Sequence, residues 1–245
     1  MSRFFAFGCS FTRYYWPTWA DIISTNFDVY ENWGEIGFGN HFIFNSLVEC
    51  DQRNKLSKDD TVIVCWSNSA REDRYTDSWT SSVLTNPQNE HLWRTRQLTE
   101  KGCLIRDLAF IKAAQSLLTS IGCKFYFISM VPIAYVDQQN DRTQELADVL
   151  SLYKDSIDSI SPSIWEVVFN KDYSSRRPRY HPEERDLVRN DPHPRPLEHL
   201  EYIDKVLTDF TISDDVRFKC NELTEDLINY NKVSNPWYKA PINRF

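Results

Sequence analysis

No part of this 245-residue chain approaches the roughly 18 consecutive apolar residues that a membrane-spanning helix needs, so none is expected. No two cysteines have the C-x-x-C spacing. The six of them (Cys9, Cys50, Cys65, Cys103, Cys123 and Cys220) match no zinc pattern. Cys9, Cys65 and Cys123 sit in or beside apolar runs, where a reduced thiol packs as a small hydrophobe, and all six are read as reduced structural residues. Positive charge is also short. With 28 Lys and Arg against 35 Asp and Glu the net charge is −7, which argues against nucleic acid as the main partner. The turn GEIGFGN lacks G-x-G-x-x-G spacing and is followed by no Lys-Ser/Thr, which argues against a nucleotide loop. Internal repeats, low-complexity blocks and linkers are missing too. The chain passes from Met-Ser-Arg straight into a strand-like run with no signal peptide. A soluble, cytoplasmic protein is expected, with association with a virion left open.

What remains is an ordinary globular composition, 41% hydrophobic and 26% charged, with 8 Trp, 12 Tyr and 15 Phe to fill a core. Short apolar runs alternate with helical periodicities, the pattern of a parallel sheet covered by helices. Strands are expected at Arg3–Gly8, Phe27–Asn32, Thr61–Trp66, Lys124–Val131 and Ile164–Phe169. Thr61–Trp66 (TVIVCW) is β-branched or apolar throughout, as a central parallel strand should be. Trp19, Ile22, Ile23 and Phe27 mark a first helix, and Asn40–Cys50 a second. Cys103–Ile121 follows, with Gly122 as its stop, and then a helix through Leu146, Val149, Leu150, Tyr153 and Ile157. The last clear helix starts near Pro196, with Leu197, Leu200, Ile203, Leu207 and Phe210 on its apolar face and His199 on its polar, surface side. The stretch from Ser67 to Gly102 reads as a long polar loop, more often functional than idle. Residues 1–211 form the expected domain. Residues 212–245 are an extension packed on it, ending in a strap from Asn235 to Phe245.

In a doubly wound sheet, ligands bind outside the carboxyl ends of the strands. Four segments fall at such ends: GCSFT (Gly8–Thr12), GEIGFGN (Gly34–Asn40), SNSARED (Ser67–Asp73) and, before the last helix, DPHP (Asp191–Pro194). Together they bring a hydroxyl nucleophile, oxyanion donors and an Asp/His pair to one rim, which are the parts acyl transfer requires.

The order of these blocks resembles that of the SGNH/GDSL hydrolases over roughly Arg3 to Leu207. That resemblance implies a three-layer α/β/α sandwich with a flavodoxin-like, five-stranded parallel sheet. It implies Ser10 as nucleophile, His193 as general base and Asp191 as the residue orienting its ring. It also implies an oxyanion hole of Ser10 N–H, Gly37 N–H and the Asn68 amide, with Gly39 as fallback for Gly37. Cys9 stands where the family has Asp, and Trp66 and Ser69 replace the Gly and Asp flanking Asn68. The family's D-x-x-H is shortened to D-P-H, with Asn190 at the expected carboxylate position. Either Asp191 reaches the imidazole through a different turn, or the base works without it. The GCSFT…DPHP pattern is also similar to SGNH-like proteins of marine bacteriophages, a likeness that implies no substrate.

Each piece has a plainer alternative: a tight turn at GCSFT, a turn cap at Asn68, a rigid loop at DPHP. Arg71, with Gly39, is a candidate for substrate binding. Otherwise Arg71 and Arg74 form a solvated ion-pair cluster with Glu72 and Asp73. The expectation is an ester hydrolase or acyl-transferring enzyme acting through an acyl-enzyme on Ser10, on a small-molecule or carbohydrate ester, without metal or organic cofactor. The alternative is a non-catalytic module of the same fold that binds carbohydrate or serves in assembly.

Overall fold

Side-chain alternation along two strands decides the architecture. In β1 (Arg3–Phe7), Phe4 and Ala6 enter one hydrophobic core while Phe5 and Phe7 enter another. In β3 (Asp60–Trp66), Ile63 and Cys65 join the first core, and Val62, Val64 and Trp66 the second. Strands buried on both faces belong at the centre of a parallel sheet, and both are there. The computed structural model describes residues 1–83, 98–133, 143–169, 191–240 and 242. Its main sheet has the order β2-β1-β3-β6, all parallel, with β2 at Val29–Asn32 and β6 at Lys124–Ser129.

Helices cover both faces. α1 (Trp19–Ser24), α6 (Ile164–Val168), α7 (Pro196–Val206) and α8 (Asp214–Tyr230) supply the first core. α2 (Asn40–Asn54), α3 (Glu100–Ile121) and α4 (Thr143–Leu152) supply the second, and the short α5 (Lys154–Asp158) follows α4. α3 ends where expected, at Gly122 in the left-handed conformation. All six cysteines are free and buried. No helix among the described residues is long and apolar enough to cross a membrane.

The structure departs from expectation in four places. The expected fifth strand, Ile164–Phe169, is helix α6, so the described sheet has four strands and not five. A capping box overrides the apolar, β-branched run. Ser163 Oγ accepts from Glu166 N at 3.1 Å, while the Glu166 carboxylate accepts from Ser163 N at 3.0 Å. At the sheet edge, the fifth position is reduced to one parallel bridge between Phe127 and Ile160. The Ser67–Gly102 segment opens with an antiparallel hairpin, β4 (Arg71–Tyr75) and β5 (Trp79–Val83), and residues 84–97 lie outside the described residues. The extension from residue 212, for which no helix was expected, opens with the 17-residue helix α8, capped by Ser213 and carrying Asp214 and Asp215 in its first turn. Beyond it the chain returns to the first core layer: Arg13 Nη2 donates to Tyr238 Oη at 2.9 Å and Asn235 Nδ2 to Asp21 at 3.2 Å.

The fourth departure is His199, which is 1% exposed and not on the surface. α7 packs against α1, α6 and α8 together, so its buried stripe is Pro196, His199, Leu200, Tyr202 and Ile203, wider than the single face expected. Burial, with a smaller effect of the His193 charge, lowers the His199 pKa to about 3. The ring is therefore neutral in the fold and must gain a proton on acid unfolding. The unfolded chain binds the extra proton between the ordinary value of about 6.5 and the folded value, so this residue erodes stability as pH falls through that window. In His199→Leu that erosion should vanish. Relative to the variant, wild type should lose about 1.4 kcal/mol per pH unit below about 6.5 in urea unfolding. A pH-independent difference would contradict this account.

Candidate active site

β1 ends in a turn that only glycine can open. A Cβ on Gly8 would lie 2.0 Å from Thr12 Oγ1 and 3.0 Å from the Cys65 carbonyl oxygen. The chain then folds back, with Thr12 N and Arg13 N both donating to the Cys9 carbonyl at 2.9 and 3.1 Å. Ser10 sits on this turn, 4% exposed, and its own N–H has no acceptor among the described residues.

The shortened D-P-H closes on itself. Asp191 Oδ1 accepts from the His193 backbone N–H at 2.8 Å and meets His193 Nδ1 at 2.6 Å. With one intervening residue the carboxylate therefore both closes the turn and touches the ring. Its second oxygen accepts from Tyr14 Oη at 2.5 Å. Tyr14 also stacks on the imidazole, with ring centres 4.0 Å apart at 22°. Trp16 Nε1 donates to the Pro194 carbonyl at 2.7 Å and ties the loop to the serine turn. His193 Nε2 is then 2.9 Å from Ser10 Oγ. Burial would raise the Asp191 pKa, but the hydrogen bonds from His193 and Tyr14 and the His193 charge outweigh it and hold it below the usual carboxylate value. Asn190, with the rest of residues 170–190, lies outside the described residues.

Ser10 and His193 line a cleft of about 210 Å³ with Asn68 and Arg71; Met130, Val131 and Trp165 form an apolar wall. Asn68 Oδ1 accepts from Ala70 N at 2.6 Å, which leaves Nδ2 with no acceptor among the described residues. The neighbouring Ser67 is clamped by Asn40, whose Oδ1 accepts from Ser67 N at 2.7 Å and whose Nδ2 donates to Ser67 O at 3.0 Å. Asn40 Nδ2 also donates to the buried Asp107 at 2.7 Å. Gly37 and Gly39 do not line the cleft. The Gly39 N–H is taken by Asp73, at 2.9 and 3.0 Å from its two oxygens. A Cβ there would meet Arg71 Cβ at 2.7 Å, so close packing is what requires glycine. Arg74 pairs with Glu72 at 3.2 Å, whereas Arg71 pairs with neither Glu72 nor Asp73.

Tyr14 is the site residue that sequence reasoning missed. Its only signal was the aromatic run Tyr14-Tyr15-Trp16 directly after the serine turn. Among the described residues, no group of three or more His, Cys, Asp or Glu side chains could hold a metal ion.

No family model matches the chain, and no curated protein matches it. Among solved structures, the chain is similar to a member of the lipolytic protein G-D-S-L family from Veillonella parvula. The identity is 14% and the TM-score 0.44, over 83% of this chain and 97% of that one. That likeness is weak, and none of these comparisons bears on the similarity to bacteriophage proteins.

Asp73 satisfies two free donors at the start of α2, Gly39 N–H and Phe42 N–H, the latter at 3.0 Å. Asp73→Ala should therefore cost about 1–3 kcal/mol, read as a lower urea midpoint. An unchanged midpoint would mean that water serves these donors equally well.

Proposed function

We propose that this chain is a serine-dependent ester hydrolase or acyl-transferring enzyme, with Ser10 as nucleophile, His193 as base and Asp191 as its orienting partner. One observation carries the reading: an unbroken line of contacts from Asp191 through both imidazole nitrogens to Ser10 Oγ, at 2.6 and 2.9 Å, opening on a cleft. Ser10 Oγ attacks the ester carbonyl as its proton passes to His193 Nε2. The ionised Asp191 stabilises the imidazolium and keeps Nε2 facing the serine. The tetrahedral oxyanion is held by the Ser10 N–H and Asn68 Nδ2, neither of which has another acceptor among the described residues. When the C–O bond breaks, the leaving alcohol takes the proton from Nε2. Water or an acceptor hydroxyl, deprotonated by the same nitrogen, then releases the acyl group and restores Ser10. Tyr14 is a positioning residue, holding Asp191 and the imidazole plane.

Turnover of p-nitrophenyl acetate tests this. Ser10→Ala and His193→Ala should each lose about 10³-fold or more. A fluorophosphonate probe should label wild type at Ser10. An unlabelled Ser10, with activity surviving its replacement, would instead favour the non-catalytic module. Asn68→Ala should lower kcat by about 10²–10³ with little change in KM. A change in KM alone would remove Asn68 from the oxyanion site.

A further inference from the structure

Arg71 brings a positive charge into the cleft that no carboxylate among the described residues neutralises. Its Nη1 donates to the Phe38 carbonyl at 2.7 Å. Nη2 has only the Met130 sulfur, at 3.9 Å, a weak acceptor, and Nε has no acceptor among the described residues. The carboxylates nearest in sequence are already engaged elsewhere. Glu72 receives Arg106 at 2.7 Å and Arg74 at 3.2 Å, and Asp73 holds the backbone N–H groups of Gly39 and Phe42.

The position of Arg71 is fixed as well as unpaired. It is the first residue of β4, and its carbonyl accepts from Arg106 Nη2 at 2.9 Å. Its Cβ packs against Gly39, where no larger residue fits. Arg106 is itself anchored to the buried Asp107 at 2.9 Å. Among the described residues no Asp or Glu lines the cleft. In a protein of net charge −7, the Arg71 guanidinium is a positive point in the cleft with no carboxylate partner among the described residues, since the Asp191 carboxylate beside His193 is taken up by His193 and Tyr14. A guanidinium with one edge open suits the planar fork of a carboxylate. A single arginine balances one negative charge, and a phosphate dianion would be left half-compensated.

We propose that the cleft takes an ester whose bound part carries a carboxylate a few bonds from the scissile carbonyl, held by Arg71 against the apolar wall of Met130, Val131 and Trp165. The choice of bond rests on the acyl-transfer reading above, whereas the recognition of the anion can be measured without turnover.

The probes are butyrate and its uncharged counterpart butyramide, titrated into the Ser10→Ala protein and followed by ligand-observed NMR and isothermal titration calorimetry. Ser10→Ala should bind butyrate about tenfold or more tighter than butyramide. Adding Arg71→Gln should abolish that preference, while Arg71→Lys should keep part of it, with circular dichroism showing all three folded. Equal affinity for the two probes, or a preference that survives Arg71→Gln, would overturn the proposal. Tighter binding of propyl phosphate than of butyrate would overturn its carboxylate assignment. In wild type, butyrate should inhibit p-nitrophenyl acetate turnover competitively. Absent turnover with an intact, Arg71-dependent preference would sink the hydrolase reading and leave the anion site standing.

Discussion

The Asp191 carboxylate gathers three donors: the His193 backbone N–H, the His193 ring and the Tyr14 hydroxyl. Two belong to a loop near the C-terminal end of the chain, and one to the segment just past the first strand. This one group therefore joins sequence positions 177 residues apart and fixes the imidazole relative to the serine turn. Trp16, bonded to the Pro194 carbonyl, makes a second tie between the same segments. Without the carboxylate, a quarter-exposed imidazole on a proline-flanked loop would have no fixed plane and no preferred tautomer.

The opposite wall of the cleft depends on a separate polar network. Asn40 at the start of α2 pairs with the backbone of Ser67 as a neighbouring strand would, and so sets the residue before Asn68. Asp73 caps α2 from the hairpin, and Arg106 on α3 holds Glu72, Asp107 and the Arg71 carbonyl. Two helices and the hairpin thus converge on the loop that presents Asn68 and Arg71. Buried networks of this kind cost a great deal when one member is missing. Polar residues in this region therefore shape the site without touching a ligand.

Much of this was legible in the sequence, for identifiable reasons. Ser10, Asn68 and the DPHP loop stand out because sheet topology sends the ends of parallel strands to one rim, and four strands follow the expected order. The turn at Asp191 was not legible, since whether a D-x-H carboxylate reaches its own histidine depends on side-chain geometry. Tyr14 was hidden because an aromatic after a turn reads equally well as core. Arg71 could be named, but its want of a carboxylate partner among the described residues could not, because Glu72 is claimed by Arg106, 34 residues away. The misplaced fifth strand shows a local conflict: IWEVVF is apolar and β-branched, yet S-x-x-E immediately before and within it starts a helix. His199 was misread because one apolar stripe was assumed for a helix that packs on three others.

Two carboxylates, one buried and one partly exposed, show how the fold separates enclosed charge from charge at the rim of the cleft. Asp107 is fully enclosed, and burial raises its pKa to about 7 despite Arg106 and the Asn40 amide. Asp191, with a quarter of its side chain exposed, has three donors and partial contact with water, and its pKa falls instead. The histidines divide in the same way: His199, sealed in the core, is held neutral, whereas His193 lies at the rim beside a permanent anion. In the proposed reaction the moving proton needs a stable counter-charge and low reorganisation, and both are found where the carboxylate is donor-rich and still partly hydrated. Deep burial would have cost Asp191 its ionisation and weakened its hold on the His193 ring. Full exposure would have weakened that hold through screening by solvent. The contracted D-P-H turn, stacked under Tyr14, places the pair between those extremes.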